Sequence, residues 1–230
     1  MTITWLGQAG LLFERRGVTV MIDPYMSNYF EKDQPANYRR SPVNEKFFDI
    51  DPDIMIFTHD HIDHYDPETA PVFFKKSRKK MSVLGPTSVR AKAMGDLCGQ
   101  NYVLFDKYTS VTLEGFRFTA TRAAHSDPYA IGVVIEDLVE NRVYYVTGDT
   151  LYNSRIFDSF PELYREIDVL FLPINGVGNN MNMTDAARFA KKTHARKVVP
   201  YHFGMFDELD PNEFECRNKV IPTIWEEIEV

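Results

Sequence analysis

The sequence predicts an α/β protein with two mixed β-sheets packed between layers of helix. Three observations lead there. Short runs rich in β-branched and aromatic residues, separated by glycine or charged turns, recur from the N-terminus to Val146. Helix-type segments interrupt them, and the last third alternates helix and strand. The 230 residues are 44% hydrophobic, enough to fill a large core, and they read as one domain over residues 1–230.

Strands are expected at residues 2–6, 10–14 and 18–22. Residues 23–52 are polar and proline-containing, with weak periodicity, and read as a functional loop or short irregular helices. An apolar run of strand length follows at 53–57, then helix at 67–76, strand at 82–85 and helix at 87–97. Strands are expected next at 102–105, 110–113, 116–121, 130–135 and 142–146. The remaining segments are helix 154–160, strand 169–172, helix 184–192, strand 197–200 and helix 210–218, the last with Pro211 in its first turn.

Bulk properties narrow the function classes. No apolar run reaches the ~18 residues a membrane helix needs, and the start MTITWLGQAG lacks a basic head and apolar signal core, so the expected location is the cytoplasm. Cys98 and Cys216 lie far apart in no metal-type spacing and read as free thiols. A net charge of −7 repels a phosphate backbone and counts against a nucleic-acid partner. The expected partner is a small-molecule substrate. A homo-oligomer is compatible with the sequence, but no feature establishes one.

The chemistry concentrates in THDHIDHYD, residues 58–66, which holds three of the six histidines. His59, His61, Asp63 and His64 form an H-x-H-x-D-H pattern directly after an apolar strand. Neutral imidazole and carboxylate suit zinc, manganese or iron. Four such groups on one small ion would leave no room for substrate, so they are better split between two. The completing ligands lie past later strands: His125 in TRAAHSDP, Asp149 in YYVTGDT and His202 in VVPYHFG. The split gives His59, His61 and His125 to one ion, Asp63, His64 and His202 to the other, with Asp149 bridging. His194 ends a helix, where a histidine is usually a surface residue favoured by the helix dipole, and stays outside the set.

These motifs together resemble the metallo-β-lactamase superfamily. The segments ITWLGQAG, THDHIDH followed by DPETA, GPTSV, GDTLYNS and TDAARFAKKTHARKVVPYHFG are similar to its L-ascorbate-6-phosphate lactonase-like branch. His125 departs from the lactonase itself and supplies the ligand more usual in the superfamily. The resemblance implies an αβ/βα four-layer sandwich with a dinuclear site at one rim, and hydrolysis by a metal-bound hydroxide that Asp63 orients and Asp149 helps to hold. Two divalent ions are expected, zinc or manganese, with iron also compatible. Asp23 is expected to support the metal-binding loop. Asp60, which matches no ligand position, is expected to accept an imidazole N–H.

Substrate contacts are expected from Arg39 and Arg40, whose guanidinium groups suit phosphate or carboxylate, and from Arg122 and Asn153 beside the ligand motifs. Asn175 and Asn179 sit in NGVGNNMNM, which reads as a rim loop offering backbone N–H groups. The favoured function is hydrolysis of a small polar substrate, such as a sugar-derived lactone or its phosphate. The alternative is a phosphodiesterase acting on cyclic nucleotides or RNA ends. From other classes come a di-iron redox protein, which His61 and the short chain argue against, and a non-catalytic metal-binding module, which the complete ligand set argues against.

Overall fold

The strands are β1 (Thr2–Gly7), β2 (Gly10–Arg15), β3 (Val18–Ile22), β4 (Ile54–Ile56), β5 (Ser82–Gly85), β6 (Asn101–Leu104), β7 (Ser110–Leu113), β8 (Phe116–Arg122), β9 (Ile131–Asp137), β10 (Arg142–Val146), β11 (Val169–Pro173) and β12 (Lys197–Tyr201). The helices are α1 (Tyr29–Asp33), α2 (Ala70–Lys76), α3 (Thr87–Ala93), α4 (Arg155–Asp158) and α5 (Met183–Thr193). This computed structural model describes residues 1–158 and 166–230. The helix expected at 154–160 is present as α4, and the end of that range lies outside the described residues.

Two six-stranded mixed sheets form, ordered β1-β2-β3-β4-β5-β6 and β12-β11-β10-β9-β8-β7. The strand runs read as continuously apolar because both faces of each sheet are covered. In the first sheet Leu11, Phe13, Val20, Ile22, Ile54, Ile56 and Leu84 share a core with the second sheet's Phe118, Val133, Ile135 and Phe171. Their neighbours Leu12, Met21, Met55 and Val83 point the other way, against Phe73 and Phe74 of α2 and Val89 and Ala93 of α3. The second sheet's outer face is covered by α5, where Phe189 lies 6.2 Å from the Tyr145 ring. The sheets therefore lie between helices, as the strand count predicted.

Pairing directions decide where strand ends fall. β1 and β3 are both antiparallel to β2, and β4 runs parallel to β3. β8 and β10 are both antiparallel to β9, while β11 and β12 continue parallel to β10. The C-terminal ends of β1, β3 and β4 thus share one edge of their sheet, and those of β8, β10, β11 and β12 share one edge of theirs. Backbone bonds join these edges: His202 donates to the Gln8 carbonyl at 2.8 Å and Ile131 to that of Thr58 at 3.0 Å. Arg15 at the end of β2 forms a buried ion pair with Asp137 at the end of β9, at 2.5 Å.

Two expectations near the C-terminus change. The segment 210–218 forms only a 3-10 turn, Pro211–Glu213, because buried Phe214 takes up extended backbone (φ −66°, ψ 110°). The chain then runs beside the edge strand β12, where Val198 donates to Asn218 and Val220 to Val198, covering that edge. Helix α5 begins at Met183, one residue before the expected start, because Asn182 caps it by accepting the Asp185 N–H at 2.9 Å.

Gly132 tests the packing between strands. A Cβ there would sit 2.5 Å from Thr121 Oγ1 and 2.7 Å from the Thr147 carbonyl oxygen. Gly132→Ala should lower stability by roughly 1–3 kcal/mol, the usual scale of overpacking. Urea unfolding measures this, and an unchanged midpoint would refute it.

Candidate metal centre

Each ligand-type side chain follows the C-terminal end of a strand at the shared rim, the edge where α/β sheets commonly bind ligands. His59, His61, Asp63 and His64 follow β4, His125 follows β8, Asp149 follows β10 and His202 follows β12. Three groups converge, each with its ligand atoms within 4.8 Å of one another: His59, His61 and His125; Asp63, His64 and His202; and His59, His64 and Asp149. Asp149 therefore reaches across both triads. His64 Nε2 stands 3.3 Å from Asp149 Oδ1 and 3.4 Å from His202 Nε2. His202 Nε2 is 3.2 Å from Asp149 Oδ2 and 3.4 Å from Asp63 Oδ2.

Residues 18–203 match the beta-lactamase superfamily domain. The chain belongs to the metallo-β-lactamase superfamily. It is 31% identical over 217 residues to a UPF0173 protein of Pyrococcus furiosus, covering 94% of this chain and 89% of the relative. A UPF0173 metal-dependent hydrolase of Nitratidesulfovibrio vulgaris is 30% identical, covering 95% and 86%. Within the superfamily the chain belongs to this UPF0173 family. The solved structure of Igni18, a metallo hydrolase from Ignicoccus hospitalis, superposes with a TM-score of 0.73 at 20% identity, covering 98% of this chain and 96% of that one.

The surrounding residues hold the set in place. Asp23, fully buried at the end of β3, accepts the Thr58 N–H at 2.8 Å, the Thr58 hydroxyl at 2.5 Å and His64 Nδ1–H at 2.8 Å. Gln8 Nε2 donates to Asp63 Oδ2 at 2.8 Å. Asn180 Nδ2 donates to Asp149 Oδ2 at 2.8 Å and its Oδ1 accepts the Thr150 N–H. Asn175 Nδ2 lies 3.1 Å from His202 Nδ1, while its Oδ1 is buried without a partner. Exchanging the amide's N and O gives that oxygen the His202 Nδ1–H and leaves Nε2 facing the cluster. Gln8, Asp23 and His202 all adopt left-handed backbone, with φ of 49°, 42° and 58°. Such conformations cost on the order of 1–3 kcal/mol each and cluster at functional sites. Gly148 (φ 62°) allows the tight turn before Asp149, since a Cβ there would lie 2.4 Å from the Ile131 carbonyl oxygen.

The donor set fits divalent cations. His59 Nε2 and Asp149 Oδ1 are buried without a hydrogen-bond partner inside a cluster of imidazoles and carboxylates. Burial and the neighbouring His64 push His59 well below the ordinary imidazole range, and burial lowers His125, so both favour the neutral form that ligates. Burial would also lower His64, but Asp149, Asp23 and Asp63 outweigh it and hold it well above that range. His202 is likewise held up at about 9, against burial, chiefly by Asp149. Burial would raise Asp63 and Asp149, but His64 and His202 hold both well below the usual carboxylate range. Protons on His64 and His202 thus occupy the place of positive charge in the metal-free protein.

A cavity of about 810 Å³ opens over the cluster, lined in part by His61, Asp63, Asp149, Asn175, Asn179 and His202. Arg39, Arg40, Arg122 and Asn153 do not line it. Arg39 folds into the protein, donating to the carbonyls of Ser41 and Tyr25 and lying over the Tyr25 and Trp225 rings. Arg40 lies over Tyr38 and faces Glu208 at 3.8 Å. Arg122 ends β8, opposite Ile131, and Asn153 accepts the Arg155 N–H at the start of α4. The Asp60 carboxylate pairs with Lys92 at 3.2 Å instead of an imidazole, because α3 brings that ammonium beside it. In the Asn175 loop, the N–H groups of Gly176, Asn180 and Met181 already donate to main-chain carbonyls. Gln8, Thr58, Asn180 and Asp127 escaped the sequence reading. Asp127, two residues past His125, accepts the Ser88 hydroxyl at 2.6 Å and the Tyr129 N–H at 2.8 Å and so fixes the His125 loop. Only Gln8 carried a signal, as the one polar side chain in the glycine-flanked LGQAG.

Removing the Asp23 carboxylate releases both the Thr58 backbone and the His64 ring. Asp23→Ala should weaken divalent-ion affinity about 10–100-fold, measured by chelator competition, and unchanged affinity would refute the anchoring role. Protonation gives a second prediction. His202 is raised from 6.5 to about 9, so its stabilisation of the metal-free protein is complete below 6.5 and lost as pH rises through 9. Ligation needs the neutral ring, so Mn²⁺ binding should release protons and tighten between about pH 6 and about pH 8. Calorimetry in buffers of different ionisation enthalpy reads the release, and a pH-independent affinity would overturn it.

Proposed function

We propose that this protein hydrolyses a small-molecule carbonyl substrate, a sugar-derived lactone being the favoured class, at a centre of two divalent ions, zinc or manganese. The observation that supports this most directly is Asp149 standing between two complete triads, its buried Oδ1 facing only the His64 ring at 3.3 Å. His59, His61 and His125 would hold one ion and Asp63, His64 and His202 the other. Ions bound there supply Lewis acidity and bring the pKa of water toward neutrality.

The chain's own groups do the rest. Asp63 commits one oxygen to Gln8, which fixes the carboxylate so that it can orient the attacking water. As a carboxylate it offers only acceptor oxygens to that water. Asp149 Oδ2 is fixed by Asn180, and the Asp149 carboxylate would be shared by ions held in the two triads. The His59 ring is fully buried and so closed to solvent. A phosphodiester substrate is less well supported, because its backbone charge would meet no arginine in the cavity lining. Among the described residues, no helix is long and apolar enough to cross a membrane.

His61→Ala and Asp149→Ala should each abolish hydrolysis and reduce bound metal, read by elemental analysis of folded protein. Full metal content in Asp149→Ala would sink the bridging role. Metal-loaded protein assayed against lactones and bis-(p-nitrophenyl) phosphate should turn over the lactones alone. Diester turnover without lactone turnover would reverse the assignment.

A further inference from the structure

The wall of the cavity away from the metal centre is built for an uncharged ring. Phe30 and Phe206 form a stacked pair there, centroids 4.9 Å apart and 30° between planes, with Tyr25 edge-on to Phe206 at 5.7 Å. Both rings are held from behind. The Phe30 N–H donates to the Tyr25 hydroxyl at 3.0 Å, and the carboxylate of Asp207 accepts the N–H groups of Gly204 and Leu209, closing the loop that carries Phe206. Beside the rings stand side-chain amides. Asn37 Nδ2 donates to Gln34 Oε1 at 2.9 Å, and Asn175 and Asn179 face them from the other sheet's rim.

What this wall lacks, among the described residues, is a free lysine or arginine. Among the described residues, Lys92 is the one lysine or arginine lining the cavity, and it is engaged by Asp60 through both its carboxylate at 3.2 Å and its carbonyl. Asp207 adds a negative charge nearby. The three arginines that a phosphate group would call on do not line the cavity: Arg39 is tied to carbonyls and rings, Arg40 to a ring and Glu208, and Arg122 sits at the end of β8. A dianionic phosphate seated here would lose water without gaining a guanidinium or free ammonium, and an anion desolvated without a partner is strongly disfavoured. Aromatic faces with convergent amides instead suit the C–H face and hydroxyls of a neutral ring.

We propose that the Phe30/Phe206 platform and the Gln34, Asn37, Asn175 and Asn179 amides select an uncharged, ring-shaped, hydroxylated substrate over its phosphorylated counterpart. This rests on the reading of the site as a lactone hydrolase and narrows the substrate class.

The test separates binding from turnover. Manganese-loaded protein is titrated calorimetrically with D-glucono-δ-lactam, a non-hydrolysable neutral ring, and with its 6-phosphate. The neutral lactam should bind at least about tenfold tighter. Phe206→Ala should weaken it by about fivefold or more, the scale of a lost ring contact. Gln34→Arg, which adds a guanidinium to an exposed position of the wall, should narrow the gap by strengthening the phosphate's binding. Equal or tighter binding of the phosphate by the unmodified protein would overturn the proposal. So would neutral-lactam affinity unchanged in Phe206→Ala, or binding of neither compound. If the lactam pattern holds while D-glucono-δ-lactone is not hydrolysed, the selectivity stands and the proposed reaction falls.

Discussion

A single carboxylate fastens the metal-binding loop to the sheet beneath it. Asp23 turns off the end of β3 in left-handed backbone and accepts three hydrogen bonds from Thr58 and His64. One fixes the backbone where β4 ends, so His59 leaves the strand in a set direction. Another fixes the His64 ring with Nε2 facing inward. Among the described residues, Asp23 pairs with no cationic side chain apart from that ring, and it is fully buried. Such a group is tolerated only when its lone pairs are occupied. The loop order and the satisfaction of Asp23 therefore require each other, which makes the start of the H-x-H-x-D-H segment a rigid part of the fold despite lying outside regular structure.

The same logic applies to the cluster above it. Histidines and aspartates this close would be unstable as a set of fixed charges in water-poor surroundings. The cluster resolves this by dividing into two kinds of imidazole. His59 and His125 are driven neutral by burial, while His64 and His202 are driven cationic by the carboxylates they face. The neutral rings already offer lone pairs, and the cationic ones face the carboxylates Asp63 and Asp149 at 3.2–4.0 Å.

How much of this could be read in the chain depends on sequence distance. The strands were legible because both sheet faces are buried and the apolar runs are dense, and β5, β7 and β10 fall on the residues expected. The convergence of His59, His125, Asp149 and His202 was legible because each follows an apolar strand within three residues, with His61 two residues further on, and parallel ordering carries such ends to one rim. The supporting residues were not. Asn180 reaches Asp149 from a loop beyond β11, and no local pattern marks an asparagine that will do so. Asp60 was misjudged for the converse reason: adjacency to two ligands suggested an imidazole partner, but its side chain faces α3 and finds Lys92. The C-terminal segment had helix-compatible residues, and burial of Phe214 together with pairing to β12 overrode them.

The arginines show why substrate preference is the last property to emerge. Arg39 and Arg40 lie in a long polar segment whose composition suggests anion binding, yet charge on a loop reports only that the loop is polar. Arg39 is consumed in fixing that segment's return, by main-chain carbonyls and two aromatic faces, and burial lowers it to about 10. What the segment delivers to the cavity is instead Phe30, Gln34 and Asn37, which carry no formal charge. A segment that holds Arg39 in its own structure and presents rings and amides to the cavity offers shape and hydrogen bonding there, and leaves the charged groups to the cluster beside it.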